Sequence, residues 1–116
     1  IIITSVHAES AYRNSSIYNF TKAGLNHFAA SLGLEWTKHK IRVNALEPGW
    51  IQTPGSTGEM TPSEIDRAEK EVIPWGRMGQ AEDIGNAVAF LASDDADYIT
   101  ASCMRVDGGL IAAAGI

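Results

Sequence analysis

The chain has 116 residues, of which 45% are hydrophobic and 20% are charged, so it can fold around a core as one domain of ordinary size. Nine Lys and Arg residues against fourteen Asp and Glu residues give a net charge of −5. This acidic balance disfavours nucleic acid and anionic membrane surfaces, and we expect neither as a partner. The single cysteine, Cys103, excludes an intrachain disulfide and fits a reducing compartment, so a cytoplasmic location is expected.

The first part of the chain predicts a strand followed by a long helix. Residues 1–4 begin with three isoleucines, a β-branched run typical of a buried strand cut from a longer chain. Residues 6–14 are polar and irregular, and predict a loop. A helix is predicted over residues 17–39, capped by Ser15 or Ser16. The apolar stripe of this helix consists of Leu25, Phe28, Ala29 and Leu32.

The middle of the chain predicts a second strand, a loop and a short charged helix. Residues 41–46 form the predicted strand, and Pro48-Gly49 ends it with a turn. Residues 54–58 are rich in Gly, Ser and Thr, which is typical of a flexible loop. The Thr-Pro-Ser-Glu sequence at residues 61–64 is a capping box, and it predicts a helix that continues to about residue 72.

The last part of the chain predicts one more helix and one more strand. The helix covers residues 81–93, the strand covers residues 102–106, and Asp-Gly-Gly closes the strand. Residues 110–116 form an apolar tail that is either buried at a contact or frayed. The alternation of strands and helices predicts the α/β class, with a parallel sheet and helices on its faces. Three strands cannot complete such a sheet, so further neighbours are expected upstream or on another chain.

Tyr18 and Lys22 lie four residues apart on the predicted long helix and therefore share a face. A free tyrosine has a pKa of about 10 and is a poor base at neutral pH, but a nearby ammonium group favours its ionised form. At about 5 Å and an effective dielectric constant of about 20, that attraction amounts to about 3 kcal/mol. The pair is therefore a candidate proton carrier, although the same spacing also arises by composition alone in roughly one chain in five of this length.

Ser5 follows the first strand directly, thirteen residues before Tyr18. Catalytic groups in open parallel sheets lie at the carboxyl ends of strands, and the intervening loop is long enough to bring the two hydroxyls together. Ser5 could then hydrogen-bond a substrate oxygen while Tyr18 moves the proton. The alternative is that Ser5 only caps the end of its own strand.

The turn after the second strand is a candidate contact for a flat amide such as nicotinamide. Pro48 lacks a backbone donor and Gly49 allows a sharp turn, so backbone groups are exposed at the same edge of the sheet as Ser5. An ordinary turn between a strand and a loop explains the same residues equally simply.

Taken in order, these motifs resemble the C-terminal half of the classical short-chain dehydrogenase/reductase family. The resemblance covers nearly all of the chain and implies a Rossmann-like doubly wound parallel sheet of which this chain forms the C-terminal portion. It rests on Ser5, Tyr18-x-x-x-Lys22, Asn44-x-x-x-Pro48-Gly49-x-x-x-Thr53, Gly76-Arg77-Met78-Gly79, Glu82-Asp83-Ile84, Phe90-Leu91-Ala92-Ser93 and Val106-Asp107-Gly108-Gly109.

The resemblance implies an oxidoreductase that interconverts an alcohol and a ketone or aldehyde with NAD or NADP as cofactor. Tyr18 would be the general acid/base, Lys22 would lower its pKa and bind the nicotinamide ribose, and Ser5 would hold the substrate oxygen. The residues implied to flank the nicotinamide are Pro48, Gly49 and Ile51, and Thr53 would reach the carboxamide or a phosphate oxygen. No residue is assigned to a metal.

The resemblance further implies that residues 54–75 form a substrate lid. Val6, His7, Met60 and Trp75 are candidates for the substrate pocket, but His7 could instead be a solvated loop residue. Met60 and Trp75 could be packing residues. The sequence around His7 also resembles glucose-dehydrogenase-like members of the family, for which a sugar or polyol would be the substrate.

Two features depart from the family pattern. Ala101 follows Thr100 where the family usually has Gly, and the 116 residues contain neither the glycine-rich Thr-Gly-x-x-x-Gly-x-Gly loop nor Asn-Asn-Ala-Gly. The family carries these motifs upstream, so an N-terminal half of the same protein is an expected partner, and a homodimer or homotetramer is implied. A non-catalytic binding or scaffold subunit on the same fold is the alternative, and an isomerase or dehydratase with the same tyrosine is a third possibility.

Overall fold

The computed structural model describes residues 1–114 and shows a three-stranded parallel sheet in the order β1-β2-β3. Ala45 pairs with Ile2 on one side and with Cys103 on the other, so β2 is the central strand. The predicted α/β class is confirmed. The strands are β1 (Ile2–Ile3), β2 (Ala45–Pro48) and β3 (Cys103–Val106).

Five α-helices and three short 3₁₀ turns connect and follow these strands in the described part of the chain. The helices are α1 (Ser16–Trp36), α2 (Pro54–Thr57), α3 (Pro62–Glu71), α4 (Ala81–Ala92) and α5 (Leu110–Ala113). The 3₁₀ turns are Val6–Ala8, Thr37–His39 and Asp94–Ala96.

Helix α1 packs against one face of the sheet through small residues. Ala29 is fully buried and contacts Val43 and Ala45, and Leu32 packs against the same cluster. A Cβ atom at Gly33 would lie only 2.7 Å from the backbone of Ala101, so glycine is required for this close approach. The predicted stripe is confirmed at Ala29 and Leu32, whereas Phe28 is half-exposed in the chain as described.

A second cluster lies beneath the segment that joins β2 to α4. Ala68 of α3, Ile73 and Met78 form its buried centre. Trp50, Met60 and Ile65 pack around them. This cluster fixes the charged helix α3 on the body of the molecule, and the capping box predicted at its start is confirmed, with Thr61 accepting from the backbone of Glu64.

Several predicted boundaries shift in the structure. The second strand begins at Ala45 instead of Ile41, and residues 54–58, predicted as a loop, contain the short helix α2. Ile1 and Ile3, predicted to be buried, are 42% and 44% exposed because within the described residues β1 pairs with β2 alone. The predicted apolar tail forms α5 up to Ala113, and the last two residues of that prediction lie outside the described chain.

Residues 1–114 contain neither a helix suited to cross a membrane nor a cluster of metal-ligating side chains. None of the described helices combines the length and the apolar character that a bilayer crossing demands. Within the same residues, no group of three or more His, Cys, Asp or Glu side chains is arranged to hold a metal ion.

Candidate active site

The carboxyl end of β1 places Ser5 at one edge of the sheet. Ser5 is 8% exposed and caps the turn Val6–Ala8, where its Oγ accepts a hydrogen bond from the backbone N–H of His7 at 3.3 Å. This contact uses a lone pair of the hydroxyl oxygen and leaves its hydrogen available. Ser5 thus caps the turn that follows it instead of the end of its own strand, and this cap is compatible with a substrate-binding role for the same hydroxyl.

Tyr18 and Lys22 share one face of α1, as the sequence predicts. The Lys22 ammonium lies 5.4 Å from the centre of the Tyr18 ring. It also donates a hydrogen bond to the backbone carbonyl of Ile3 at 3.3 Å, which ties it to the end of β1. Tyr18 is 47% exposed and faces a cavity rather than the core, so its hydroxyl is accessible to a ligand.

Three aromatic rings form a continuous wall next to Ser5. The imidazole of His7 stacks on Tyr12 with ring centres 4.0 Å apart, and it meets Tyr18 edge-on with ring centres 5.0 Å apart. Burial and the nearby Asp107 carboxylate raise the pKa of Tyr12, so its hydroxyl remains neutral and polar at physiological pH. His7 therefore lies between two tyrosines, one of which is the candidate proton carrier.

The turn after β2 approaches the end of β3 very closely. The backbone N–H of Gly49 donates to the carbonyl of Val106 at 2.9 Å, and a Cβ atom at Gly49 would lie 2.6 Å from Cα of Asp107. The Asp107 carboxylate in turn accepts from the backbone N–H groups of Gly109 and Ile111, each at 2.9 Å. The Pro-Gly and Asp-Gly-Gly motifs thus hold each other in place at the edge of the sheet.

These elements surround a cavity of about 500 Å³. It brings together seven of the predicted site residues, which are Ser5, Val6, His7, Tyr18, Gly49, Ile51 and Thr53. Lys22 and Pro48 are not among the lining residues, although Lys22 lies on the same helix as Tyr18 and Pro48 directly precedes Gly49. The remaining lining residues are Tyr12, Trp50, Ser56 and Leu110.

Met60 and Trp75, the other two residues predicted for the substrate pocket, do not line this cavity. Met60 packs on the cluster around Ile73, and Trp75 is 74% exposed. The backbone N–H of Trp75 donates to the carbonyl of Gly108 at 3.1 Å, and Trp75 borders a separate cavity of about 260 Å³ together with Arg77. Met60 therefore fits the alternative of a packing residue, whereas Trp75 is a surface residue in the described part of the chain.

Sequence reasoning missed four lining residues: Tyr12, Trp50, Ser56 and Leu110. Of these four, Tyr12 could have been predicted most easily. An aromatic residue in a polar loop next to the candidate tyrosine indicates a contact with another residue or a ligand. Ser56 belongs to α2, where it and Thr53 cap each other in a capping box. The hydroxyl of Thr53 therefore already has a partner at the rim of the cavity.

Behind the site, a polar cluster connects α1, β2 and β3. Glu47 of β2 is 1% exposed, accepts a hydrogen bond from Asn26 of α1, and lies 3.9 Å from Arg105. Arg105 also forms a 2.9 Å ion pair with Glu9. Burial and the neighbouring Glu47 carboxylate raise the pKa of Glu9, and the same two causes raise the pKa of Cys103 to about 12, so that its thiol stays protonated.

A family model and several known proteins match most of this chain. The family model described as enoyl-(acyl carrier protein) reductase matches residues 1–111. The chain is 37% identical over 110 residues to 3beta-hydroxysteroid dehydrogenase 1 of Eggerthella lenta, covering 95% of the chain and 42% of that protein. It is 36% identical over 110 residues to a tropinone reductase homolog of Arabidopsis thaliana, covering 95% of the chain and 36% of that protein.

Solved structures show the same fold. An acetoin dehydrogenase from Salmonella typhimurium superposes with a TM-score of 0.81 at 36% identity, covering 96% of this chain and 42% of that one. A 4-hydroxyisoleucine dehydrogenase complexed with NADH superposes with a TM-score of 0.89 at 29% identity, covering 95% of this chain and 45% of that one. The chain thus spans less than half the length of these relatives, and it belongs to the short-chain dehydrogenase/reductase family.

Proposed function

We propose that the protein containing this chain is an NAD(P)-dependent oxidoreductase that interconverts an alcohol and a ketone or aldehyde. The observation that carries the proposal is the convergence of Ser5 and Tyr18 on one cavity, with Lys22 fixed behind Tyr18 by its bond to the carbonyl of Ile3. Membership of a family of oxidoreductases supports the reaction class.

The turn after β2 supplies residues that would contact a nicotinamide ring. Gly49, Ile51 and Thr53 line the same cavity as Ser5 and Tyr18, so an aromatic amide bound there would lie beside the candidate proton carrier. Lys22 lies close to Tyr18 on α1, and its ammonium would donate hydrogen bonds to the ribose hydroxyls of the cofactor. When bound there, a nicotinamide dinucleotide supplies or accepts the hydride.

The protein groups would perform the proton chemistry. Ser5 would donate its free hydroxyl hydrogen to the substrate oxygen and hold that oxygen beside Tyr18. Tyr18 would exchange a proton with the same oxygen as general acid/base. The Lys22 ammonium would stabilise negative charge on the tyrosine oxygen, and its bond to Ile3 keeps it at a fixed place on α1.

The proposal extends to the whole protein. We propose that these residues form the C-terminal half of one Rossmann-type domain, that residues 54–75 include a substrate lid, and that a glycine-rich loop outside the 116 residues binds the pyrophosphate. The structural relative complexed with NADH supports a nicotinamide cofactor. A homo-oligomer and a cytoplasmic location are part of the same proposal, based on the family and on the single cysteine.

Substitution of Tyr18 tests the proposal directly. In the full-length protein, Tyr18→Phe should reduce kcat with alcohol or carbonyl substrates by at least about 100-fold, because the proton carrier is lost while the ring is kept. NAD(P)H absorbance measures turnover, and calorimetry should show that cofactor binding is largely retained.

Tyr98→Phe provides the matched control, because Tyr98 is fully exposed and lies outside the cavity. We expect this variant to keep wild-type turnover. Full activity in Tyr18→Phe would end the assignment of Tyr18 as the acid/base, and would favour a non-catalytic role for this cavity.

A further inference from the structure

The hydrogen bonds around His7 define which of its ring nitrogens carries the proton. In the amide orientation that gives both the oxygen and the nitrogen of the Asn19 side chain a hydrogen-bond partner, Nδ2 donates to His7 Nδ1 at 2.8 Å and to the carbonyl of Ser15 at 3.1 Å. Its Oδ1 accepts from the backbone N–H of Tyr12 at 3.2 Å. Because the amide is held on both sides, Nδ1 of His7 is an acceptor and the proton of the neutral ring lies on Nε2.

The Nε2–H group is left with no hydrogen-bond partner among residues 1–114. Its ring lines the cavity and is only partly buried. Nδ1 is turned toward Asn19 on α1, so Nε2 lies on the opposite side of the ring. The stack on Tyr12 and the edge contact with Tyr18 keep the ring from rotating freely. The result is a preoriented donor on the wall next to the candidate proton carrier.

We propose that His7 selects substrates that carry a second oxygen on the carbon next to the reacting one, that is, 1,2-diols and α-hydroxy carbonyl compounds. The inference rests on the proposed function, and it adds the chemical class of substrate. Ser5 and Tyr18 bind the reacting oxygen, and His7 donates from Nε2 to the neighbouring oxygen.

The contact between the two rings places the second oxygen near the first. The His7 and Tyr18 ring centres are 5.0 Å apart, and both residues line the same cavity as Ser5, so one small substrate can reach both His7 and the Tyr18 hydroxyl. A second oxygen on the carbon next to the reacting one is the shortest arrangement that can use both groups. A neutral Nε2–H group accepts no hydrogen bond, so the second group must present a lone pair, as a hydroxyl or carbonyl oxygen does.

A matched pair of substrates tests the proposal in the full-length protein. Cyclohexanol and cis-1,2-cyclohexanediol differ by the second oxygen alone. Wild-type protein should oxidise the diol with a kcat/KM about fivefold or more above that for cyclohexanol, as expected for one additional hydrogen bond. The readout is the ratio of the two kcat/KM values, measured by NAD(P)H absorbance.

Two substitutions of His7 separate the effect of its aromatic ring from the effect of its N–H donor. His7→Phe keeps the aromatic contacts but lacks the N–H, and should bring the ratio to within about twofold of unity. His7→Gln lacks the ring but offers an amide N–H, and should retain part of the preference. His39→Phe is the control, because His39 is exposed and outside the cavity, and it should leave the ratio at the wild-type value.

The proton position can be measured without turnover. A nitrogen-15 long-range correlation spectrum of the wild-type protein should show His7 as the neutral tautomer protonated at Nε2, and an Nδ1–H tautomer would overturn the inference. A wild-type ratio near unity, or an unchanged ratio in His7→Phe, would also overturn it while leaving the proposed function intact. Absence of turnover with every alcohol and carbonyl compound would instead reject the proposed function, and this inference with it.

Discussion

At the scale of single residues, the departure from the family pattern at Ala101 has a structural consequence. Ala101 adopts φ of 57°, in the left-handed region where a Cβ atom is strained and glycine is favoured. Its backbone N–H donates to the carbonyl of Val43 at 2.8 Å, which holds it in this conformation. The usual family residue at this position is therefore explained by the backbone, and alanine carries a cost here.

Replacing Ala101 by glycine should stabilise the protein. The relief of left-handed strain, about 1–2 kcal/mol, exceeds the added entropy of the unfolded chain, about 0.5–1 kcal/mol, so a gain of about 0.5 kcal/mol is expected. Urea denaturation of the full-length protein measures it as a higher midpoint. Ala89→Gly in the interior of α4 is the control, and should lose about 1 kcal/mol. A lower midpoint for Ala101→Gly would show that the strain is absent.

At the scale of elements, the sequence predicted the order of strands and helices well because local patterns determine it. The capping box at Thr61 depends only on residues near in sequence, and it is confirmed. The predicted start of the second strand, at residue 41, was wrong because of residues far away in sequence. Val43 lies opposite the loop that precedes β3, so it has no strand residue of β3 to pair with. Its N–H and carbonyl bond to Thr100 and Ala101 of that loop.

The candidate site was predictable to the same extent. Ser5, Tyr18 and Gly49 follow predicted strands or begin a predicted helix, so the topology of a parallel sheet is enough to bring them to one edge. Tyr12 and Leu110 reach the cavity through packing between segments far apart in sequence. No periodicity or motif encodes that packing, and the tautomer of His7 depends on a contact with Asn19 twelve residues away.

The polar cluster behind the site joins three elements, and we expect Arg105 to be its most sensitive member. Arg105→Met would remove the cation that faces the buried Glu47 carboxylate and would leave that charge unpaired. Breaking a fully buried pair costs about 3–5 kcal/mol, and the partial exposure of Arg105 reduces this to about 2 kcal/mol. Chemical denaturation of the full-length protein measures the loss.

Arg67→Met is the matched control for this prediction. Arg67 forms an ion pair with Glu71 on the exposed face of α3, where removal should cost less than about 0.5 kcal/mol. The cost of Arg105→Met should also shrink in a Glu47→Gln background, since no buried charge then remains. Equal costs for Arg105→Met and Arg67→Met would mean that the cluster contributes no more than a surface pair.

At the scale of the whole molecule, the chain is less compact than an independent domain of its length. Its radius of gyration is 15.3 Å, against about 13 Å expected for a compact domain of this size. Helix α1 exposes Ile17, Phe20 and Leu34 at 73–76% each. Ile1 and Ile3 are also exposed, at the edge of β1 that has no partner strand among residues 1–114. Apolar surface of this extent indicates contacts with further protein. The relatives are more than twice as long as this chain, and a protein of that length would contain residues to cover this surface.

This incomplete surface leads to a prediction about cofactor binding. Nothing in the 116 residues provides a glycine-rich loop for the pyrophosphate, so the isolated chain can contact only the nicotinamide end of a dinucleotide. Calorimetry should therefore give a Kd for NAD(H) at least about 100-fold weaker for the isolated chain than for the full-length protein, a difference of about 2.7 kcal/mol. Equal affinities would place the whole cofactor site within these residues. They would contradict the proposal that a glycine-rich loop outside the 116 residues binds the pyrophosphate.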